Sequence, residues 1–497
     1  MPAPHVSVAV NLLAADAPAN YRHGLSLLQG WLPLTLQAIA VIVLVVAIGW
    51  RTRRWRFVWL PVSVVVGLAV AAWAHWYVDS QGMAGDPAPD SLWIWTGLTG
   101  FALSALVLGW RGIKWRRVAT VAAVPLCLLG TGLALNTWVG YFPTVQVAWN
   151  QLTAGPLPDE TDAATIAAMQ KAGTVLDHGS VVPVDIPSAA SGFKHRTELV
   201  YLPPKWFASN PPPKLPVVMM IGGEFNTPAD WLRTGNAMSI VDGYAAAHGG
   251  NAPVMVFVDS GGSFNNDTEC VNGVRGNVAD HLTKDVVPYV NSHYGTSSDS
   301  ADWGVVGWSM GGTCAVDLTV MHPELFSSFL DIAGDTGPNA GTKDQTIARL
   351  YGGNATEWAQ FDPATVMAKH GPYQGVSGWF AISTDKPTQH KMSGGDDAVG
   401  LGGRDAQGMQ SDQTEAANTL CGLGRAQGIN CSVVPTTGRH DWPLATQVFT
   451  AAVPWLFGAV HTPGVPAVPL PAGSPVPEVA PAGGPAAAPV PLAPAGR

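Results

Sequence analysis

The segment VVGWSMGGTC, residues 305–314, contains the pattern Gly-x-Ser-x-Gly centred on Ser309. A serine in this pattern acts as a nucleophile in acyl transfer when it lies on a sharp turn between a buried strand and a helix. The chain contains 56 glycines, so the pattern alone is a weak signal. The apolar run before Ser309 and the helix-like run after it supply the required context. We therefore predict that Ser309 is a nucleophile.

A serine nucleophile needs a histidine base within hydrogen-bond reach and an acid that orients the histidine. In a strand–turn–helix arrangement of this kind the chain order is serine, acid, histidine. His440, in TTGRHDWPLATQVF, follows a strand-like segment and precedes a helix. We predict that His440 is the base, because a loop at that point can bring its ring over Ser309.

The acid is less narrowly defined than the base. Asp385 directly follows the buried strand WFAIS, which is the usual place for the acid, and it is our predicted choice. A long loop follows, and its aspartates are alternatives: Asp396, Asp397, Asp405 and Asp412. Each of them is otherwise a solvated turn residue or, for Asp412, an N-cap of the next helix.

Backbone N–H groups are expected to stabilise the oxyanion of the tetrahedral intermediate. One donor is Met310, the residue after the nucleophile. The other is predicted to be Glu224, which follows two glycines in the loop after an early strand, with Phe225 as an alternative.

The sequence pattern after residue 180 predicts the elements that position these residues. Short β-branched runs alternate with longer amphipathic stretches, which indicates an α/β fold with a mostly parallel sheet and helices on both faces. KLPVVMMIGG and APVMVFVDSGG are continuous apolar runs, as is typical of strands buried on both faces. The predicted regions are a membrane domain (1–150), a connector (151–180), a catalytic domain (181–460) and a disordered Pro/Ala-rich tail (461–497).

The first region contains four apolar stretches, each long enough for a helix that crosses a hydrocarbon core of about 30 Å. They are residues 31–50, 57–77, 92–110 and 118–138. The first and third connecting loops each carry four basic residues, and the second carries three aspartates and no basic residue. By the positive-inside rule the first and third loops are cytoplasmic, so the catalytic domain is expected outside.

The charge and the cysteine content of residues 151–497 limit the possible partners and the cellular compartment of this part of the chain. Residues 151–497 contain 17 basic and 31 acidic side chains, which argues against nucleic acid as a partner. Four cysteines fall in this region, and we predict the pairs Cys421–Cys431 and Cys270–Cys314, as expected in an oxidising compartment. The cysteine spacings do not resemble a zinc site, and neither a metal nor another cofactor is expected.

These segments together resemble the esterase D family of α/β hydrolases, which includes S-formylglutathione hydrolases, feruloyl esterases and antigen 85 type mycolyltransferases. GWSMGGTCAVDLTVMHPELF is similar to the nucleophile segment of that family and GRHDW to its histidine segment. IGG followed by Trp231 resembles its HG…W loop, with Gly222 where histidine or aspartate is usual.

The resemblance spans about residues 190–458 and implies an α/β-hydrolase fold that carries out acyl transfer through an acyl-serine. It implies that Ser309 is the nucleophile, that His440 is base and then acid, and that the Met310 and Glu224 amides hold the oxyanion. Antigen 85 type enzymes have a glutamate further along, near Met409 to Asp412, so the acid stays open.

The sequence therefore predicts a membrane-anchored, extracytoplasmic serine esterase or acyltransferase. Its substrates are expected to be esters, with envelope lipids as one class, and the membrane is its expected partner. The alternative is a non-catalytic envelope protein that uses a hydrolase fold as a binding module.

Overall fold

The computed structural model describes residues 24–48, 52–82, 88–110, 114–153, 155, 157, 159–384, 409–438 and 440–474. Its first part is a bundle of four helices that are long and apolar enough to cross a membrane. They are α1 (Trp31–Ile48), α2 (Leu60–Gln81, preceded by the π-helical turn Trp55–Trp59), α3 (Asp90–Gly109) and α4 (Lys114–Val139). These helices overlap the four predicted spans.

Small residues allow the helices of the bundle to approach closely. A Cβ on Gly67 of α2 would lie 2.6 Å from the carbonyl oxygen of Gly97 in α3. A Cβ on Gly130 of α4 would overlap the ring of Trp95 in α3. Close backbone approach at small residues is typical of helix packing in membranes.

Two short helices follow the bundle, and a twisted sheet of eight strands follows them. The helices are α5 (Val145–Leu152) and α6 (Ala163–Ala172). The strands are β1 (Ser180–Val184), β2 (Glu198–Leu202), β3 (Val217–Ile221), β4 (Val254–Val258), β7 (Trp303–Trp308), β8 (Ser328–Ile332), β9 (Ser377–Ser383) and β10 (Asn430–Thr436). A separate two-stranded ribbon is formed by β5 (Asn272–Gly273) and β6 (Gly276–Asn277).

The strand order in the large sheet is β1-β2-β4-β3-β7-β8-β9-β10. β2 pairs antiparallel with both neighbours, and the remaining pairs are parallel. Every residue of β3, β4, β7 and β8 is buried, because helices cover both faces of the sheet. This is the topology of the α/β-hydrolase fold, and the predicted fold class is confirmed.

The helices of this domain lie between successive strands, except for the last one, which follows β10. They are α7 (Asp230–Arg233), α8 (Ala237–Ala247), α9 (Val278–Asp280), α10 (Val287–Tyr294), α11 (Met310–Met321), α12 (Lys343–Tyr351), α13 (Ala355–Phe361), α14 (Pro363–His370), α15 (Met409–Ala426) and α16 (Trp442–Ala459). The π-helical turn His281–Val286 joins α9 to α10. The segment WLRTGNAMSIVDGYAAAHGG, residues 231–250, has the sequence pattern of one helix, and that interpretation is wrong. α7 ends at Arg233, and Asn236, with φ +52°, stands between it and α8.

The beginning of the tail differs from the sequence prediction, whereas the disulfides match it. The start of the tail is ordered, because Ser474 N–H donates to the Val433 carbonyl and the Ser432 hydroxyl donates to the Pro471 carbonyl. These contacts satisfy polar groups along the edge strand β10, so the predicted disorder does not begin at 461. Residues 475–497 lie outside the described residues.

Both predicted disulfides, Cys270–Cys314 and Cys421–Cys431, are present.

Candidate active site

Ser309 lies at the sharp turn between β7 and α11, with φ +57° and ψ −122°. A Cβ on Gly307 would overlap the carbonyl of Gly311, and a Cβ on Gly311 would lie 2.6 Å from the carbonyl oxygen of Gly222. Both positions of the motif therefore require glycine. Ser309 N–H donates to the Ile332 carbonyl at 2.8 Å, which fixes the turn against β8. The hydroxyl is presented at the carboxyl edge of the parallel strands.

The structure brings His440 to Ser309. Nε2 of His440 lies 2.9 Å from the Ser309 hydroxyl oxygen. The imidazole packs against the Trp308 ring, with a centroid separation of 4.3 Å. The next residue, Asp441, caps α16 by accepting from Leu444 N–H, so the loop is fixed directly behind His440. The side chains of Ser309 and His440 are only partly exposed.

The other imidazole nitrogen of His440 faces the amide of Gln413. Nδ1 lies 3.1 Å from Nε2 of Gln413, and that amide nitrogen is also 3.4 Å from the Ala333 carbonyl oxygen. Gln413 is 3% exposed and lies in the second turn of α15. It directly follows the stretch Met409 to Asp412, near which the family resemblance implies a glutamate. Gln413 was not predicted from the sequence, because the residue expected to orient His440 is a carboxylate.

The predicted acids have no described side chains. Asp385, Asp396, Asp397 and Asp405 lie outside the described residues, and of Asp412 only the backbone is described. That backbone lies inside α15, three residues after its first residue, so Asp412 is not an N-cap of this helix. Asp385 as the acid stays a prediction.

The two predicted oxyanion donors are Met310, which directly follows Ser309, and Glu224, whose neighbour Gly223 lies close to Ser309. Met310 is the first residue of α11, and an N–H in the first turn of a helix has no acceptor within the helix. Glu224 follows Gly223, whose Cβ position would lie 3.3 Å from the Ser309 Cβ. Gly223 N–H donates to the Asn226 side chain at 2.8 Å, and Asn226 N–H donates to the Gly223 carbonyl at 3.0 Å. We call residues 223–227 the oxyanion loop, after the role predicted for Glu224.

Arg196 supports the oxyanion loop from behind, a role that the sequence did not indicate. Its guanidinium donates to the Asn226 carbonyl at 2.8 Å and to both carboxylate oxygens of Asp259, at 2.6 and 3.1 Å. Burial alone would raise the pKa of Asp259, but the hydrogen bonds and charge of Arg196 outweigh it and the pKa is lowered. The Arg196–Asp259 ion pair thus restrains the oxyanion loop at the Asn226 carbonyl.

A neighbouring cluster of His195, Glu198 and His281 brings possible metal ligands within 4.8 Å of one another. Both ring nitrogens of His195 face backbone carbonyls, those of Arg196 at 2.8 Å and Ile186 at 2.7 Å. Only the imidazolium donates from both nitrogens, and a metal ligand must have a free lone pair. Burial opposes the charge, but these bonds and the charge of Glu198 raise the pKa of His195. The cluster is a polar network beside Arg196.

A second buried carboxyl lies beneath the nucleophile turn. Asp331, in β8, accepts from Gly334 N–H at 2.8 Å, and a Cβ on Gly312 of α11 would overlap its carboxylate. Burial raises the pKa of Asp331 to about 7, with the Gly334 hydrogen bond acting in the opposite direction and the nearby charge of Asp335 adding to the rise. The carboxyl therefore changes charge near neutral pH.

The strand order, the turn at Ser309 and the serine–histidine contact define the chain as an α/β hydrolase. The "Putative esterase" family model matches residues 192–454, more than half of the chain, and the chain belongs to this family. The predicted esterase relationship is confirmed, and family membership supports a carboxylic-ester hydrolase.

Similar proteins include an uncharacterised protein of Corynebacterium glutamicum, 27% identical over 365 residues that cover 69% of this chain and 81% of the relative. Among solved structures, an S-formylglutathione hydrolase from Agrobacterium tumefaciens is 14% identical with a TM-score of 0.44, covering 57% of this chain and 97% of that one. MPT51 from Mycobacterium tuberculosis is 19% identical with a TM-score of 0.39, covering 56% and 98%.

Gln413 generates a first testable prediction. An amide at Nδ1 of His440 holds the ring at Ser309, so Gln413→Ala should lower kcat by about tenfold, which is less than the roughly 100- to 10,000-fold contribution of a group that itself transfers the proton. Gln413→Glu places a charged acceptor at Nδ1, so it should retain activity and shift the acid limb of the pH–kcat profile upward, since a carboxylate raises the pKa of its histidine partner. An unchanged kcat and pH profile in both variants would exclude this role.

Asp331 generates a second prediction, on stability. Between about pH 4 and pH 7 the folded state holds a proton on Asp331 that the unfolded state releases, so stability falls as pH rises through this window. Asp331→Asn is neutral throughout and keeps the acceptor for Gly334. The free energy of unfolding of Asp331→Asn, relative to that of the wild type, should rise by about 2 kcal/mol between pH 5 and pH 8.

The measurement is thermal melting of the detergent-purified protein at both pH values. Asp177→Asn, at an exposed position, is the control and should show no such difference. Equal melting shifts for Asp331→Asn at pH 5 and pH 8 would show that this carboxyl does not titrate in the window.

Proposed function

We propose that the protein is a serine esterase or acyltransferase, anchored in a membrane with its catalytic domain on the extracytoplasmic side. The observation that carries the proposal is the 2.9 Å contact between His440 Nε2 and the Ser309 hydroxyl at a strand-to-helix turn. A hydroxyl activated by a neighbouring imidazole is the nucleophile of this reaction class.

In the proposed reaction the Ser309 oxygen attacks the ester carbonyl carbon while His440 Nε2 takes the hydroxyl proton. The carbonyl oxygen becomes an oxyanion, which the Met310 and Glu224 N–H groups stabilise together with the N-terminus of α11. Collapse of the intermediate breaks the ester C–O bond, and His440 returns the proton to the departing alcohol. Water or a second alcohol then attacks the acyl-serine, loses its proton to His440, and releases an acid or a new ester while Ser309 regains its proton.

The third group of the proposed triad holds His440 in the correct tautomer. Nε2 must be unprotonated to accept the Ser309 proton, so Nδ1 must carry a hydrogen and face an acceptor. Asp385 is our proposed acid. Gln413 adds a polar contact at the same nitrogen, and rotation of its amide about the terminal bond turns its oxygen toward Nδ1.

Membrane anchoring and sidedness are supported by separate observations. The four apolar helices have the length and composition of membrane spans. The basic loops at 51–56 and 111–117 favour a cytoplasmic location for those turns. The two disulfides of the catalytic domain are typical of an oxidising compartment.

A lipid ester is the substrate class that we propose, because an apolar patch links the oxyanion loop to the helical bundle. Phe225, next to Glu224, packs against Phe264 with ring centroids 5.2 Å apart, and Phe264 is 51% exposed. The next residue, Asn265, donates to the Tyr77 hydroxyl at 2.9 Å, near the end of α2. Exposed Trp73 and Trp76 accompany Tyr77, as expected at a membrane–water interface. An acyl chain that leaves the bilayer here would meet the two phenylalanines before Ser309.

The main experiment is covalent labelling by a fluorophosphonate probe in membranes from cells that express the full chain. Wild type should label and hydrolyse p-nitrophenyl esters, whereas Ser309→Ala should lose labelling and His440→Ala should lose at least about 1,000-fold in kcat. Ser327→Ala, which changes a serine outside the site, should label like the wild type. A folded wild type that neither labels nor hydrolyses any ester would support the binding-module alternative.

The substrate class generates its own prediction. Phe264→Ala should lower kcat/KM for esters of 12 to 16 carbons by about tenfold, because one phenyl face contributes about 1–2 kcal/mol of apolar burial. Acetate and butyrate esters should be affected by less than about twofold, since a short chain cannot reach the patch. Val274→Ala, at an exposed apolar position on the ribbon, is the control. An equal loss for short and long chains would contradict an acyl-chain role for Phe264.

A further inference from the structure

The segment just after α4 makes a direct contact with Asp230, which lies three residues after the oxyanion loop. The Tyr141 hydroxyl lies 2.8 Å from each carboxylate oxygen of Asp230, which accepts its hydrogen bond. Tyr141 follows the last residue of α4 by two positions, and Asp230 is the first residue of α7. The contact therefore joins the helical bundle to the catalytic domain beside the active site.

Tyr141 is held rigidly at the end of its helix. The side chain of Asn136, in the last turn of α4, donates to the Phe142 carbonyl at 2.8 Å and accepts from Phe142 N–H at 2.7 Å. The Phe142 ring packs edge-on against the Tyr141 ring at 4.7 Å. Residues 25–27, which precede α1, also pair with residues 143–145. The phenol is thus fixed by the bundle and is not a free surface side chain.

Asp230 passes this restraint to the oxyanion loop. It is 1% exposed and accepts from the N–H and the hydroxyl of Thr227, at 2.7 and 3.1 Å. Burial raises the pKa of Asp230, and the hydrogen bonds from Thr227 and Tyr141 act against this rise. Thr227 is the last residue of the loop that carries Glu224. Arg196 holds the loop at Asn226, and Tyr141 restrains it at Thr227 through Asp230.

We propose that Tyr141 is a positioning residue of the active site and that the helical bundle, through Asp230, holds the Glu224 N–H where the oxyanion forms. The inference rests on the proposed function, because it assigns a catalytic task to the oxyanion loop. Its physical basis is that a buried carboxylate which loses a donor must relax toward another one. A displacement of about 1 Å at a catalytic group lowers the rate by up to about 100-fold.

The test uses the full chain in detergent or liposomes. Tyr141→Phe keeps the ring and its contact with Phe142 and removes only the hydroxyl. We expect kcat to fall about tenfold while KM changes by less than about twofold, since the oxyanion forms only after substrate binds. Labelling by the fluorophosphonate probe should slow in parallel, because the phosphonyl oxygen occupies the same site. A merely structural role would lower the melting temperature without this split between kcat and KM.

Arg349→Gln is the matched control. The Arg349 guanidinium donates to the Asp79 carbonyl at 2.6 Å, so it is also a contact between the catalytic domain and the bundle, but its described partners lie outside the oxyanion loop. This variant should keep the wild-type kcat. A tenfold fall in Arg349→Gln as well would mean that any loosening of the two regions lowers activity, and it would overturn the specific role of Tyr141.

Asp230→Asn and the double variant complete a double-mutant cycle. If Tyr141 acts through Asp230, the losses in kcat should not add, because either change breaks the same connection. Should Tyr141→Phe fail to fold, Asp230→Asn carries the same expectation of a lowered kcat at constant KM. If the wild type labels and hydrolyses esters, an undiminished kcat in Asp230→Asn or in Tyr141→Phe overturns this inference and leaves the proposed function standing. A wild type that does neither overturns the proposed function itself.

Discussion

The structure depends on the close approach of three backbone segments around Ser309. The end of β7, the first turn of α11 and the backbone at the end of β3 meet where no Cβ fits at Gly307 or Gly311. This approach holds Ser309 at a positive φ that a residue with a side chain rarely adopts. Because the strain is local, the surrounding sheet must hold the turn in place. The fully buried strands β3, β7 and β8 supply that support.

The groups around Ser309 come from loops and helix starts that are distant in the sequence. His440 follows β10, Gln413 lies near the start of α15, and the oxyanion loop follows β3. They converge because parallel strands place their carboxyl ends at one edge of the sheet. The disulfide Cys270–Cys314 adds a covalent link between α11 and the loop after β4, two segments that border the same edge. The site is therefore a property of the whole sheet edge.

The features that could be predicted from sequence are those with a local pattern. The serine turn, the histidine loop and the buried strands each have a distinctive composition within about ten residues. Gln413, Arg196 and Tyr141 have no such pattern, because each is defined by a partner that is 27, 63 or 89 positions away. The break between α7 and α8 and the order of residues 461–474 were missed for a similar reason. Tertiary contacts there override the local helix and tail signals.

The bundle and the catalytic domain are joined at more than one point, which distinguishes them from two regions on a flexible linker. Tyr141 meets Asp230 at the end of α4, and the last residues of α2 receive hydrogen bonds from Arg349 and Arg275. A single attachment leaves a domain free to rotate, whereas attachments at two helix ends fix its orientation. The orientation fixed here keeps the oxyanion loop and Phe264 beside the aromatic end of α2. Of these contacts, the one between Tyr141 and Asp230 is the contact that we propose also positions the oxyanion loop.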